Sequence, residues 1–234
     1  MLLFTGQMFG NGGGAAPPAG PISYIGHSQG SVVAGAYTYA SVPLSAPAAD
    51  RIVVAVVRGE SIGNYSTTSV VVGSTTLSLW SPGRIQVFTT VVGYYEVYYG
   101  VVASGATPNL VVTTNAQNIS VDVYCLSGLS STPVDQVGVT SASGTTCAIN
   151  DVETKVGGAV IAGILVQTSA GGPTLTESWS GAGSIVEDSD IDLSANTHTG
   201  AAHIATSAAT TTDDFTFTIS ASKTFAGGAI SFGP

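Results

Sequence analysis

Apolar and polar side chains alternate along much of the chain with a period of two residues. Between residues 119 and 125, apolar positions alternate with Ser120, Asp122 and Tyr124, and residues 215–219 repeat the pattern. Such alternation places successive side chains on opposite faces of an extended strand. The pattern therefore predicts antiparallel strands that are half buried, with one apolar and one polar face.

The remaining strand signals are short runs rich in valine, isoleucine and threonine, separated by clusters of glycine, proline, asparagine and serine. They cover residues 51–58, 69–80, 85–102, 109–113, 156–167, 200–206 and 224–232. Branched side chains pack well on a pleated surface, and no stretch of ten residues keeps a helical period. The sequence predicts an all-β fold, an antiparallel β-sandwich that is jelly-roll-like.

The first 21 residues differ from the rest, because glycine, proline and alanine dominate them. We predict an extended N-terminal arm over residues 1–21 and a single β-sandwich domain over residues 22–234. The arm carries large apolar side chains that gain most by burial against a neighbour. These predicted anchoring residues are Leu2, Leu3, Phe4, Met8 and Phe9. A terminus without a partner stays open as the alternative.

Charge is scarce, with five basic and 14 acidic residues among 234 and a net charge of −9. Soluble domains usually carry about 25% charged residues, against 8% here. A surface of serine, threonine, glycine and alanine suits a subunit that its neighbours cover, so we expect a homo-oligomer. Five scattered basic residues form no stripe for nucleic acid, and the apolar runs have only strand length, so we expect no membrane association.

Residues 26–30 read Gly-His-Ser-Gln-Gly, which matches the G-x-S-x-G turn that exposes the nucleophile of lipases and esterases. Ser28 would be that nucleophile. The acid and base would come from Asp190, Asp192, His198 and His203, which follow in the chain order of that family. Only 25 residues precede the motif, however, and an alternating segment rather than a helix follows it. We therefore predict a first strand with a glycine bend and no catalytic residue, with a serine esterase as the unfavoured alternative.

Acidic residues concentrate between residues 187 and 192. Asp188, Asp190 and Asp192 could converge on Ca²⁺, a hard cation that takes six to eight oxygen ligands. The segment lacks the glycine and the final glutamate of an EF-hand loop, which favours a solvated acidic loop. His198 and His203 could bind a metal together with Asp192, but they are five residues apart and would lie on opposite faces of a strand. We therefore expect no metal site and no cofactor, with calcium as the weaker alternative.

Aromatic residues cluster at 94–99, where alternation places Tyr94 and Tyr98 on the face opposite Tyr95 and Tyr99. The amphipathic rings of Tyr94 and Tyr98 could contact a protein or a sugar. Two tryptophans, Trp80 and Trp179, could stack on the same sugar. Packing with a protein contact is favoured, and binding of a host surface polysaccharide stays open.

The chain has two cysteines, Cys125 and Cys147. Two cysteines in 234 residues do not make a disulfide framework. Free, buried thiols are favoured, and a single disulfide stays open as the alternative.

Two segments carry a resemblance to a known class of proteins: Ser-Tyr-Ile-Gly at 23–26, and Ala-Ala-Asp-Arg followed by a hydrophobic run at 48–56. They resemble virion structural proteins of tailed bacteriophages, in which a glycine-rich N-terminus leads to an S-Y-x-G strand and then to a hydrophobic strand after A-x-G-D. Ala49 stands where the glycine often precedes the aspartate.

The resemblance implies a non-enzymatic β-sandwich subunit that is attached to a phage particle. It implies either a capsid-decoration protein or a tail or fibre subunit, with other virion proteins as partners. Its location would be the virion, after assembly in the host cytoplasm. The resemblance carries over no catalytic residue.

Overall fold

The structure is a computed structural model that describes residues 21–63, 67–88, 92–167, 177–181, 183–194, 197–207 and 209–234. The predicted anchoring residues of the arm, Leu2, Leu3, Phe4, Met8 and Phe9, lie outside the described residues. Pro21 is the first residue described, and strand β1 begins directly after it.

Sixteen β-strands run through the described residues, and these residues contain no helix. In chain order the strands are β1 (Ile22–Ser31), β2 (Ala36–Tyr39), β3 (Ile52–Ser61), β4 (Thr67–Val72), β5 (Thr75–Thr76), β6 (Ser78–Leu79), β7 (Ile85–Phe88), β8 (Val92–Val101), β9 (Leu110–Thr114), β10 (Asn118–Leu126), β11 (Pro133–Thr154), β12 (Ala159–Gln167), β13 (Glu177–Gly181), β14 (Val186–Ser194), β15 (Thr197–Ala205) and β16 (Thr210–Phe232).

The strands form three antiparallel sheets. Sheet A has the order β1-β10-β3-β8-β6, with β7 also paired to β8; sheet B has the order β2-β9-β4-β5. Sheet C has the order β11-β16-β12-β15-β14, with β13 also paired to β16. The prediction of an all-β, antiparallel, sandwich-like fold is confirmed.

Sheet A lies in the middle and is buried on both faces. One face carries Val53, Ala55 and Val57 of β3, which share an apolar cluster with Val70 and Leu110 of sheet B. The opposite face carries Ile52, Val54 and Val56, which share a second cluster with sheet C. Because apolar burial is the main favourable term in folding, this doubly covered β3 holds the three sheets together.

Sheet C has a second apolar face, which its own long strands cover. The strands β11 and β16 pair along most of their length, with register shifts around Gly144. Ile149 of β11 and Phe217 of β16 share a buried cluster with Ile164 and Val166 of β12. Irregularities of this kind bend a strand, so the two long strands contribute both to the sheet and to the layer over its outer face.

Three local predictions were wrong. The strand signal over residues 85–102 covers two paired strands, β7 and β8, rather than a single strand. Residues 187–192 belong to strand β14, not to a solvated loop. The polar side of β10, with Ser120 and Asp122, is buried rather than solvated, because sheet C covers that face.

Candidate functional site

The lipase-like pentapeptide lies inside strand β1 rather than at a turn between a strand and a helix. Ser28 faces sheet B, where its hydroxyl lies 2.5 Å from the hydroxyl of Tyr37. His27 faces sheet C, because adjacent residues of a strand point to opposite faces. The extended geometry leaves Ser28 without the strained, exposed position that a nucleophile elbow provides.

The other members of the esterase candidate set lie in sheet C. His198 contacts Asp190 and Asp192 there, with 2.9 Å from each ring nitrogen to a carboxylate oxygen. His203 points to the opposite face and contacts Asp188 at 2.8 Å. The prediction that the two histidines lie on opposite faces is confirmed. Since sheet A separates Ser28 from these residues, the fold does not assemble the candidate triad.

The acidic cluster divides between the two faces of β14. Asp188 lies at a register shift and turns inward, whereas Asp190 and Asp192 stay largely exposed on the other face. No group of three or more metal-binding side chains occurs among the described residues. The structure thus gives the calcium alternative on Asp188, Asp190 and Asp192 no common site.

The proposed outward tyrosines are buried. Tyr94 and Tyr98 belong to the apolar cluster between sheets A and B, because sheet B covers the face that the sequence suggested was free. Trp80 and Trp179 are buried as well. Neither Tyr94 nor Tyr98 can contact a glycan in this fold, so the prediction of a contact through them was wrong.

The two cysteines are free and buried, and they occupy different apolar clusters. Burial raises the pKa of the Cys147 thiol to about 12. Since the thiolate is the reactive form, Cys147 is an inert packing residue.

The most distinctive polar site was not among the predicted ones: Asp122, fully buried between sheets A and C. The guanidinium of Arg58 forms an ion pair with Asp122, and neither side chain is exposed. The hydroxyl of Tyr24 donates to the same carboxylate at 2.9 Å, and Ser189 donates at 3.1 Å. Nδ1 of His27 lies 3.2 Å from it. We call this group the Asp122 cluster.

A β-bulge makes the cluster possible. Tyr24 and His27 are three residues apart and would face opposite sides of a regular strand. The pairing of β1 with β10 shifts between Tyr24 and Gly26, and Gly26 has a φ of 147°, a conformation that favours glycine. The extra residue, Ile25, lets both Tyr24 and His27 reach Asp122.

A second carboxylate, Asp188, has similar partners next to the first. The hydroxyl of Tyr124 donates to Asp188 at 2.9 Å, and Nδ1 of His203 lies 2.8 Å from the same oxygen. The rings of Tyr24 and Tyr124 contact each other, with 5.3 Å between centroids. Each of the two carboxylates is therefore contacted by one tyrosine and one histidine, and the contact between the two tyrosine rings connects the two groups.

The polar contacts hold strands of different sheets together. Arg58 of β3 also donates to the backbone carbonyl of Gly200 in β15, at 2.7 Å. Glu60, near the end of β3, accepts from Asn118 at 2.7 Å and from Ser194 of sheet C at 2.8 Å. These bonds fix the position of sheet C on sheet A.

The electrostatics of the cluster favour a neutral histidine beside a charged pair. Burial, together with the nearby charge of Arg58, lowers the pKa of His27 to about 4. Burial, together with the charge of Asp188, raises the pKa of Tyr24 to about 12. At neutral pH, Tyr24 and the neutral His27 each keep a proton to donate to Asp122. With four partners on one carboxylate, the cluster is suited to a structural role.

The sequence did contain a signal for this site. Arg58 follows six consecutive apolar residues, 52–57, that read as a fully buried strand, and Asp122 lies in the centre of 119–125. A charge within a buried strand needs a partner of opposite sign. Pairing β3 with β10 places Arg58 and Asp122 within two positions of each other.

Within the described residues, the search for a helix long and apolar enough to cross a membrane finds none. Comparison of the chain with protein family models, with curated proteins and with solved structures finds no match in any of the three.

Proposed function

We propose that the chain is a non-enzymatic structural subunit of a phage virion, either a capsid-decoration protein or a tail or fibre subunit. In this proposal the sandwich is jelly-roll-like, and residues 1–21 anchor it to neighbouring subunits. The geometry of Ser28, which is bonded to Tyr37 inside a strand, supports a non-enzymatic role.

The observation that carries the proposal is that several of the few charged side chains are buried. Two of the five basic residues, Arg51 and Arg58, are fully buried, and so are the acidic residues Glu96 and Asp122. The surface is therefore even poorer in charge than the composition. Burying such a surface against another subunit requires little desolvation of charged groups.

The contacts of Arg51 show how the fold accommodates a buried charge. Its guanidinium donates to the backbone carbonyls of Val102, Ser104 and Gly105, each at 2.8 Å. These bonds satisfy the buried charge and hold the segment after β8 against the start of β3. Because the guanidinium of Arg51 is hydrogen-bonded inside the subunit, it adds no charge to the surface.

The distribution of charge along the sequence supports an assembly role for the N-terminal part. No Asp, Glu, Lys or Arg occurs before Asp50. The uncharged region comprises the arm and the strands β1 and β2, which lie at the ends of the strand orders of sheets A and B. Exposed edges usually carry charges that prevent unwanted pairing, as the acidic β14 does in sheet C. An uncharged edge supports a location that other subunits cover.

Localisation on purified particles tests the proposal. Particles of the phage that encodes the chain are purified through a density gradient, and the chain is measured by quantitative mass spectrometry and by immunogold labelling. We expect a fixed number of copies per particle and labelling at one position, the capsid surface or the tail. Its absence from particles whose other structural proteins are detected would contradict the proposal.

A deletion tests the arm within the same assay. Removing residues 2–20 should abolish incorporation into particles, while circular dichroism of the purified variant stays that of a β protein. Normal occupancy of the deleted variant would show that residues 1–21 are not the anchor.

A further inference from the structure

The two most exposed large apolar side chains of the described residues lie at the same end of sheet A. Val33 follows β1 and Ile62 follows β3, and each is 74% exposed. The backbone amide of Val32 donates to Gln117, and that of Gln117 donates to Glu60, both at 2.9 Å. Because these bonds join the neighbouring ends of β1, β10 and β3, Val33 and Ile62 lie about 10 Å apart by strand spacing. We call this surface the Val33/Ile62 end.

The chain enters sheet A at the opposite end. Ile22 of β1 pairs with Leu126 of β10, which pairs with Ile52 of β3. The carbonyl of Pro21 still accepts a hydrogen bond from the amide of Ser127 at 3.1 Å. The backbone is thus held in line with β1 up to Pro21, at the end of sheet A opposite Val33 and Ile62.

We propose that the arm of one copy binds the Val33/Ile62 end of a second copy, so that subunits associate head to tail. This inference rests on the proposed function, because it names the neighbour to which the arm attaches. The arm supplies Leu2, Leu3 and Phe4 as the apolar groups, and the second copy supplies Val33 and Ile62.

The length of the arm fits this arrangement. Eleven residues lie between Phe9 and Pro21, and the extended chain from Phe9 to Pro21 spans about 40 Å. Strand β1, with ten residues, is about 34 Å long. The apolar tip can therefore bridge the space between two subunits stacked along the strand direction. Folding back onto its own Val33/Ile62 end would require the chain to reverse within a few residues of Pro21.

The two surfaces also match in chemistry. Neither residues 1–20 nor the β1–β2 segment carries an Asp, Glu, Lys or Arg, and Glu60 near Ile62 is buried against Asn118. Burial of Val33 and Ile62 by leucine and phenylalanine removes apolar surface from water without desolvating a charge. Such a head-to-tail contact is heterologous, and it generates rings or filaments.

The test uses full-length protein with two kinds of double variant. Leu3→Asp/Phe4→Asp damages the arm and leaves the Val33/Ile62 end intact; Val33→Asp/Ile62→Asp does the reverse. Sedimentation-velocity ultracentrifugation measures the mass of each over a hundredfold range of concentration. We expect the wild-type chain to self-associate and each double variant to be monomeric.

Mixing the two double variants gives the decisive measurement. Each pair then has one intact arm and one intact end, so an equimolar mixture should form 1:1 dimers and nothing larger. A two-fold symmetric contact, or non-specific association, does not predict this complementation. Val186→Asp, at a half-exposed apolar residue of β14, is the matched control and should associate like the wild-type chain.

Three outcomes would overturn the inference: a monomeric wild-type chain, wild-type association of either double variant, or no dimers in the mixture. Unchanged thermal unfolding of the variants excludes misfolding as the cause of lost association. The outcome is separable from that of the proposed function. A chain that occurs on particles but does not self-associate would retain the virion role and would have a different protein as the partner of its arm.

Discussion

The two faces of sheet A are packed by different means. The face toward sheet B is apolar in its centre, with Ala55, Val57, Val121 and Val123 in one continuous cluster. The face toward sheet C is apolar only over part of its area, and the Asp122 cluster occupies the rest. The same strands, β3 and β10, supply both faces.

The two interfaces of sheet A are therefore specified in different ways. Apolar contacts are non-directional, so the face toward sheet B supplies stability but tolerates small shifts of that sheet. An ion pair with several hydrogen bonds fixes the relative position of its partners, although replacing such a pair by apolar residues is often neutral or stabilising. We infer that the Asp122 cluster sets the register of sheet C on sheet A more than it stabilises the fold.

The largest expected effect comes from breaking the buried ion pair. Arg58→Met removes the cation and leaves the carboxylate of Asp122 buried without its main partner. Loss of one member of such a pair costs about 3 to 5 kcal/mol. Chemical denaturation, followed by intrinsic fluorescence, should show this fall in the free energy of unfolding.

The double variant Arg58→Met/Asp122→Leu distinguishes register from stability. Because it removes both charges, it should recover most of the stability that the single variant loses. If the double variant were as unstable as Arg58→Met alone, the pair would be a net source of stability and the contrast between the two faces would disappear.

The apolar face toward sheet B gives the next largest effect. Val123→Ala removes two methyl groups from a fully buried position, and we expect a loss of about 2 kcal/mol from transfer and cavity terms together. Val156→Ala, at a position that is 60% exposed, is the control and should change the free energy of unfolding by less than about 0.5 kcal/mol. An equal loss in both variants would contradict the assigned burial of Val123.

The sequence predicted the apolar face better than the polar one, for a physical reason. Alternation reports which residues share a face, and it assigned Tyr94 and Tyr98 to one side of β8 correctly. It does not report what covers that face, so these tyrosines were predicted to be outward although sheet B buries them. Covering depends on contacts between distant segments, which a period of two does not encode.

The Asp122 cluster could not be predicted for two reasons. The first is again that alternation does not report what covers a face, and the second is the origin of its members. Its members come from β1, β3, β10 and β14, and two of them, Tyr24 and His27, share a face only because of the bulge at Ile25. A bulge shifts the period by one residue. Asp122 itself was read as a solvated residue because alternation does not show that sheet C covers the polar face of β10.

Acid should weaken the polar face selectively. His27 has a pKa of about 4 in the folded protein, against a usual value of 6.5. As the pH falls from 6.5 towards 4, the unfolded chain takes up a proton that the folded chain does not, so stability is lost across this range. A shift of this size corresponds to about 3 kcal/mol for a sealed site, and solvent screening at the partly exposed ring reduces it to about 1 to 2 kcal/mol.

The measurement is the free energy of unfolding at several pH values between 7 and 4.5, for the wild-type chain and for His27→Gln. The variant lacks the titrating ring, so its profile should be flatter by the amount that His27 contributes. Parallel profiles would mean that His27 is protonated in the folded protein as readily as in the unfolded chain.

The smallest expected effect concerns a single hydroxyl on each face. Tyr24→Phe removes the hydrogen bond to Asp122, a charged acceptor, and should lower the free energy of unfolding by about 1.5 kcal/mol. Tyr37→Phe removes the bond to Ser28 on the face toward sheet B, between two neutral and partly exposed groups, and should cost about 0.5 kcal/mol. Both variants keep the aromatic ring, so a difference between them reports the hydroxyl contacts alone. An equal fall in the free energy of unfolding of both variants would show that the hydrogen bond from Tyr24 to Asp122 is no stronger than one between neutral groups. The polar face would then be stabilised by Arg58 and the surrounding packing.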